Sequence, residues 1–201
     1  AQWSRGYRHG TVNFTNPGAM GFSSSTANKT LTLTGSNTDA NTIAAIIGDN
    51  IVDITGVTSL TKSGSGTWVL SGANTYTGAT VINGGTLRPL ATSTSTRGIE
   101  LGSIGTNAIE VGPGAVFTAN GLVSSTATNA ALTKNGAGEL VLGNAGNTYT
   151  GGTFINGGLV GISSSGNLGA GNVTITTNGA GLHLTASTTY SKTLTTNAAT
   201  G

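Results

Sequence analysis

Leu60-Thr61-Lys62-Ser63-Gly64-Ser65-Gly66-Thr67-Trp68-Val69-Leu70 returns later in the chain as Leu132-Thr133-Lys134-Asn135-Gly136-Ala137-Gly138-Glu139-Leu140-Val141-Leu142. After one inserted residue, Gly146, the copy continues: Asn74-Thr75-Tyr76-Thr77-Gly78 becomes Asn147-Thr148-Tyr149-Thr150-Gly151. Then Thr80-Val81-Ile82-Asn83-Gly84-Gly85 becomes Thr153-Phe154-Ile155-Asn156-Gly157-Gly158. Over residues 60–85, 18 of 26 positions are identical, too many for compositional chance. Internal repetition at this scale marks a stacked architecture and is read before anything else.

Fainter copies flank these two. Thr30-Leu31-Thr32-Leu33-Thr34-Gly35-Ser36-Asn37-Thr38 aligns with Thr67 to Thr75, and Lys192-Thr193-Leu194-Thr195 echoes Lys29-Thr30-Leu31-Thr32. Gly114-Ala115-Val116-Phe117 matches Gly179-Ala180-Gly181-Leu182 loosely. The chain therefore reads as part of a longer array, or as a subunit whose end meets another copy.

Within each copy, short alternating runs are separated by Gly or Asn. Strand side chains alternate between faces, which places Leu60, Trp68, Leu70, Ile82 and Leu87 inside. Their counterparts are Leu132, Leu140, Leu142, Ile155 and Leu159. Gly84-Gly85 and Gly157-Gly158 follow Asn83 and Asn156, residue types that accept left-handed backbone angles, and they mark corners. A hairpin meander uses the same Asn-Gly pattern, but recurrence at a fixed spacing favours a solenoid whose identical positions stack as Asn and Thr ladders, Asn74 among them. At about 20 residues and about 4.8 Å per coil, the chain makes roughly 8–10 coils and a rod of roughly 40–50 Å. Asn41 to Ile47 is the one place where a helical turn is tolerated.

The strings over residues 62–87 and 134–159, with their K-x-G-x-G and N-T-Y-T-G patterns, resemble the autotransporter-associated β-strand repeat, also called the passenger-associated transport repeat. That resemblance implies an all-β fold, a right-handed parallel β-helix of secreted passenger domains and very large bacterial surface proteins. It implies no catalytic residues.

Composition agrees. Gly, Thr, Ser and Asn fill 109 of 201 positions, while charged residues are 7% and aromatic residues 5%. Charge-driven disorder is excluded, as is a collagen helix with three Pro and no every-third Gly. No apolar run approaches the 18 or so residues of a spanning helix. A net charge of +2 spread along the chain gives no clustered basic face for nucleic acid. The one local cluster is Arg5, Arg8 and His9 beside Trp3 and Tyr7, a solvated arm or a docking element for a neighbour or a cell-wall polyanion. Trp3, Arg5, Tyr7 and Arg8 are thus candidate docking residues. With no Cys, disulfides, thiolate metal sites and Cys nucleophiles drop out together. Ala1-Gln2 carries neither an initiator Met nor an apolar leader, consistent with a mature N-terminus or a chosen boundary.

The search for chemistry yields little. The carboxylates are Asp39, Asp49, Asp53, Glu100, Glu110 and Glu139; only Asp49 and Asp53 are close in sequence, and a glycosidase pair must also stand about 5–9.5 Å apart in space. His9 and His183 are the imidazoles, and His183 alternates with Leu182 and Leu184 as an outward strand residue. The glycine runs lack the Asp of calcium repeats and the setting of a phosphate loop. Lys62 and Lys134 fall inside the repeat, where turn or ladder roles suit them. No cofactor, metal or nucleotide is expected, and no enzyme.

The organisation expected is a cap or docking arm over residues 1–28, in which Phe14, Met20 and Phe22 join Trp3 and Tyr7. A solenoid follows over 29–201, with strong copies at 60–87 and 132–159. The function expected is an extracellular structural module at the bacterial surface, forming a stalk, coat or filament subunit, with head-to-tail self-association or continuation in a longer array. A second reading is an adhesin module binding surface glycans through exposed Thr, Asn and Tyr. A third is ice binding by Thr75-Tyr76-Thr77 and Thr174-Ile175-Thr176.

Overall fold

Strands of three to five residues ended by Gly or Asn cannot bury a face alone, so they stack on the next turn of the chain. The structure, a computed structural model that describes residues 10–20, 27–49, 56–89, 92–102 and 105–197, is a β-solenoid. Its long sheet has nine strands: Asn13–Phe14, Ala40–Ile43, Thr67–Leu70, Thr86–Arg88, Ala108–Glu110, Leu132–Asn135, Thr153–Ile155, Val173–Ile175 and Leu194–Thr196. An early sheet stacks Lys29–Leu33, Thr58–Lys62, Thr80–Ile82, Ile99–Leu101 and Val123–Ser125. A late sheet stacks Ser93–Ser95, Val116–Ala119, Glu139–Leu142, Leu159–Ile162 and Gly181–Leu184. Every strand pair among the described residues is parallel, which removes the hairpin meander.

The early sheet ends at Ser125 and the late sheet begins at Ser93, so the cross-section changes along the rod. Early coils have early and long strands, with a loop such as 71–79 on the third side. Middle coils have three strands. Late coils have long and late strands, with loops such as 143–152 on the side the early sheet has left. This changes how the repeat is used. In the first copy Thr58–Lys62 lies in the early sheet and Thr67–Leu70 in the long sheet; in the second, Leu132–Asn135 lies in the long sheet and Glu139–Leu142 in the late sheet. The same sequence has moved one side around the rod.

The expected stacking of one copy on the other is therefore overturned. Stacking occurs within each copy: Leu60 pairs with Thr80 and Trp68 with Leu87, then Leu132 with Thr153 and Leu140 with Val160. The cause is variable coil length, from 19 residues between Val69 and Arg88 to 29 between Asn13 and Thr42. The upstream copy shifts likewise, since Leu31 pairs with Leu60 instead of joining the Thr67–Leu70 strand. Leu194–Thr196 and Lys29–Leu33 also lie on different sheets. The loose match holds in register: Val116 and Gly181 share one column of the late sheet, Phe117 and Leu182 the next.

The core is a narrow apolar column. Leu60, Ile82, Leu132, Leu140, Leu142 and Ile155 are buried, as are Trp68, Leu70 and Leu87, each such side chain contributing about 1.5–3 kcal/mol by leaving water. Leu159 corrects the inward list: it is 38% exposed, and Val160 is fully buried. Aligned through the glycine pair, Val160 is the counterpart of Leu87, and a one-residue slip sends a strand side chain to the opposite face. Asn41 to Ile47 holds no helical turn; Ala40–Ile43 is a strand and Ile46 bridges to Ala19. The helical turn is at Ser165–Leu168, where buried Asn167 accepts the Ser163 and Ser164 backbone N–H groups through its side-chain oxygen. Phe14 lies in the first long-sheet strand, and Met20 packs against the core. Trp3, Arg5, Tyr7, Arg8, His9 and Phe22 lie outside the described residues, as does Asp53.

Candidate functional site

Two lysines stand where hydrophobic residues belong. Lys62 occupies an inward column between Leu33 and Ile82, and Lys134 one between Ile109 and Ile155. Both are fully buried. An ammonium has three donors and no acceptor, and here all three are used. Lys62 Nζ donates to Ser63 O at 2.9 Å, Gly64 O at 2.8 Å and Gly84 O at 2.9 Å. Lys134 Nζ donates to Asn135 O at 2.9 Å, Gly136 O at 2.8 Å and Gly157 O at 3.0 Å. Each lysine staples its own corner to the corner of the next coil.

The glycines make room for the staple. Gly64 and Gly85 have φ of 69° and 65°, and a Cβ on Gly85 would lie 2.5 Å from Gly64 O and 2.6 Å from Lys62 Nζ. Gly136 and Gly158 repeat the positive φ in the second copy. Gly66 and Gly138 press against the backbone of the coil below, at Asn37 O and Gly112 O. Burial pushes both lysines down to about 8; for Lys134 the charges of Glu110 and Glu139 oppose that.

The second half of each repeat is equally internal. Asn74 Oδ1 accepts from Ile47 N at 2.8 Å, and Asn147 Oδ1 from Val123 N at 2.7 Å. Asn147 also donates to the backbone carbonyl of Asn167, so the side chains of both asparagines bond backbone groups. Tyr76 and Tyr149 are buried, their hydroxyls 2.7 and 2.6 Å from Thr80 and Thr153 Oγ1, and burial drives the Tyr149 phenol upward. Tyr76 and Tyr149 are therefore not among the exposed tyrosines that a glycan-binding surface would use. Gly78 and Gly151 follow, their N–H groups donating to Thr58 O and Ala130 O. The identical Tyr-to-Thr spacing in the two copies was the available clue to a buried pair.

Several charged groups outside the repeat interior are held by ion pairs or hydrogen bonds. Arg88 bonds Glu110, and outward His183 Nδ1 lies 2.7 Å from Glu139 Oε1, reaching across Gly161. Asp49 accepts from Thr58 N, Thr77 N and Thr77 Oγ1; burial opposes ionisation, but those bonds and the Arg97 charge hold its carboxyl below the usual value. Arg97, which sequence reading passed over, lies 4.1 Å from the Tyr76 ring centroid and donates to Tyr76 O. Among the described residues no three His, Asp or Glu gather as a metal site, and no helix is long and apolar enough to cross a membrane. The threonine arrays are tied down: Thr77 Oγ1 bonds Asp49, and Thr176 Oγ1 bonds Ile155 O and Asn156 Oδ1.

The passenger-associated-transport-repeat family matches residues 60–88 and 132–160, each span running from the strand before a stapled corner to the strand after the next one. The chain is 44% identical over 79 residues to the adhesin BmaC autotransporter of Brucella suis biovar 1 (strain 1330). That match covers 39% of this chain and 2% of the relative. No solved structure matches the chain. The chain is a β-solenoid with two segments that match the passenger-associated-transport repeat, the second turned one side around the rod from the first.

Proposed function

We propose that this chain is a non-catalytic rod segment of an extracellular bacterial passenger, secreted or at the cell surface, that holds other parts of the protein at a distance. The supporting observation is what recurs. Residues common to both copies build the interior and the corners: Lys62 and Lys134, Asn74 and Asn147, Tyr76 and Tyr149, and the glycines. Inward strand positions recur almost throughout, with Trp68 against Leu140 and Leu87 against Val160 the exceptions. Facing out, Thr67 becomes Glu139, Val81 becomes Phe154 and Arg88 becomes Gly161, while Thr61, Val69, Thr75, Thr77 and Asn83 recur as Thr133, Val141, Thr148, Thr150 and Asn156. The interior is thus the more constant part of the repeat, as a rod built by stacking requires.

The test is X-ray scattering of the 201-residue chain together with a glycan array. A stalk gives a rod profile with about 4.8 Å of length per coil and no saturable glycan binding. Saturable binding abolished by outward substitutions such as Phe154→Ser overturns the stalk in favour of an adhesin module. That second reading draws on the relative's being named an adhesin and on the exposed Phe154.

A further inference from the structure

The inward columns of the late sheet are apolar above their first strand. Phe117, Leu140, Val160 and Leu182 follow one another in register, and the residue below Phe117 is Ser93. In the adjacent inward column Ala119 and Leu142 stand above Ser95. The hydroxymethyl of Ser93 beneath Phe117, and the small side chains of Ser95 and Ala119 beneath Leu142, adjoin a cavity of about 340 Å³. Its walls include Leu70, Ile82, Leu87, Ile109 and Phe117. Sites that take small organic ligands occupy roughly 300–1,000 Å³ and join apolar walls to a few placed polar groups.

The placed polar group is Arg97, which lines the cavity. Its Nη1 donates to Asn74 O at 3.2 Å and Tyr76 O at 2.9 Å, and its guanidinium lies 4.1 Å from the Tyr76 ring centroid. Its Nε is shielded from solvent and has no hydrogen-bond partner. No described carboxylate is within ion-pair distance of it; Asp49 feels its charge from farther off, with its own oxygens bound to Thr58 and Thr77.

The second repeat copy shows what fills this space elsewhere. There the carbonyl of Tyr149 accepts from the backbone N of Ala170, and Leu168 of the preceding turn is fully buried. Over Tyr76 the carbonyl is taken by a side chain, Arg97, and Ser93 and Ser95 stand beneath Phe117 and Ala119. The cavity is thus particular to the first copy.

We propose that this cavity binds one medium-chain alkyl carboxylate, its tail among Leu70, Leu87, Ile109 and Phe117 and its head on the Arg97 guanidinium. With Nη1 committed to two carbonyls and Nε shielded, Nη2 is the donor left for the head group. Its charge-assisted bond to a carboxylate oxygen is stronger than one to a neutral head, and a cationic head is repelled.

The experiment is calorimetric titration of the full 201-residue chain with decanoate below its micellar concentration, with decanol and decyltrimethylammonium as probes of the head group. One saturable site is expected, with decanol at least about tenfold weaker and the ammonium compound without effect. Ser93→Leu and, separately, Ser95→Leu extend the apolar columns into the cavity. Each folded variant should lose binding, and Arg97→Gln should bind at least about tenfold more weakly. Independently of any variant, decanoate should shift the amide resonances of Ser93, Arg97 and Phe117. Absence of saturable binding in the parent chain overturns the proposal, as do shifts confined to other coils or unchanged affinity in a folded Ser→Leu variant.

Discussion

Lys62→Met keeps the length and apolar stem of the buried lysine and removes its three donors. Three carbonyls, Ser63 O, Gly64 O and Gly84 O, then lose the ammonium that joins two corners. Hydrogen bonds to a charged group are worth roughly 1.5–3 kcal/mol each in mutational series. Three bonds that share one ammonium do not add, and the change leaves neutral carbonyls unpaired, not a charge, while relieving the cost of burying the ammonium. The expected loss is therefore about 2–3 kcal/mol for Lys62→Met, and the same for Lys134→Met, whose geometry is nearly identical. Lys192, partly buried with a bond to Gly169 O, should lose about 1 kcal/mol on the same change. The assay is urea unfolding followed by circular dichroism, with hydrogen exchange at residues 63–66 and 83–86 to detect local opening, because stacked repeats need not unfold in one step. A Lys62→Met chain within about 1 kcal/mol of the parent, its corner amides still protected, would refute the reasoning.

Three further outcomes follow from the same coordinates. Burial holds Lys62 and Lys134 near 8 against an ordinary 10.5, so in that window the unfolded chain binds the proton more tightly. Stability should rise with pH from about 8 to 10.5, and the slope should flatten in the double Lys→Met variant; denaturant titrations at stepped pH measure it. Val160→Asp should abolish folding, since an unpaired buried charge costs several kcal/mol. Leu159→Thr, one residue away and facing out, should cost no more than about 1 kcal/mol in the same titration. Tyr149→Phe should cost about 1 kcal/mol by stranding the Thr153 hydroxyl, read as a lowered melting temperature.

Alternation around Trp68 and Leu70 and the glycine pairs at the corners were sufficient to read a stacked β fold and most of its core, because both express backbone geometry that is local. The position of each copy around the rod was not readable. It depends on the lengths of the intervening coils, which vary with loops that carry no periodic pattern. Leu159 was misplaced by pairing leucine with leucine after the glycine pair; counted from that pair, the counterpart of Leu87 is Val160. The burial of Tyr76 was not readable, because its flanking Thr and Asn are polar and its partner Thr80 and the ring contact with Arg97 arise from coil stacking. The lysines were readable as corner residues, but not as staples, since their acceptors Gly84 O and Gly157 O come from the next coil.

The central claim is that each repeat stacks on itself and that the two copies lie on different sides of the rod. The chain has no Cys, so two engineered pairs test this without background. Thr61 and Val81 face each other on adjacent strands of the early sheet, at a spacing within the roughly 4.4–6.8 Å that a disulfide spans between Cα atoms. Thr61 and Thr133 are equivalent positions of the two copies but lie in the early and long sheets. Under mild oxidation, Thr61→Cys with Val81→Cys should close nearly completely as a monomer, read by a gel shift and a mass loss of two protons. Thr61→Cys with Thr133→Cys should stay reduced. Closure of the second pair and not of the first would contradict the account.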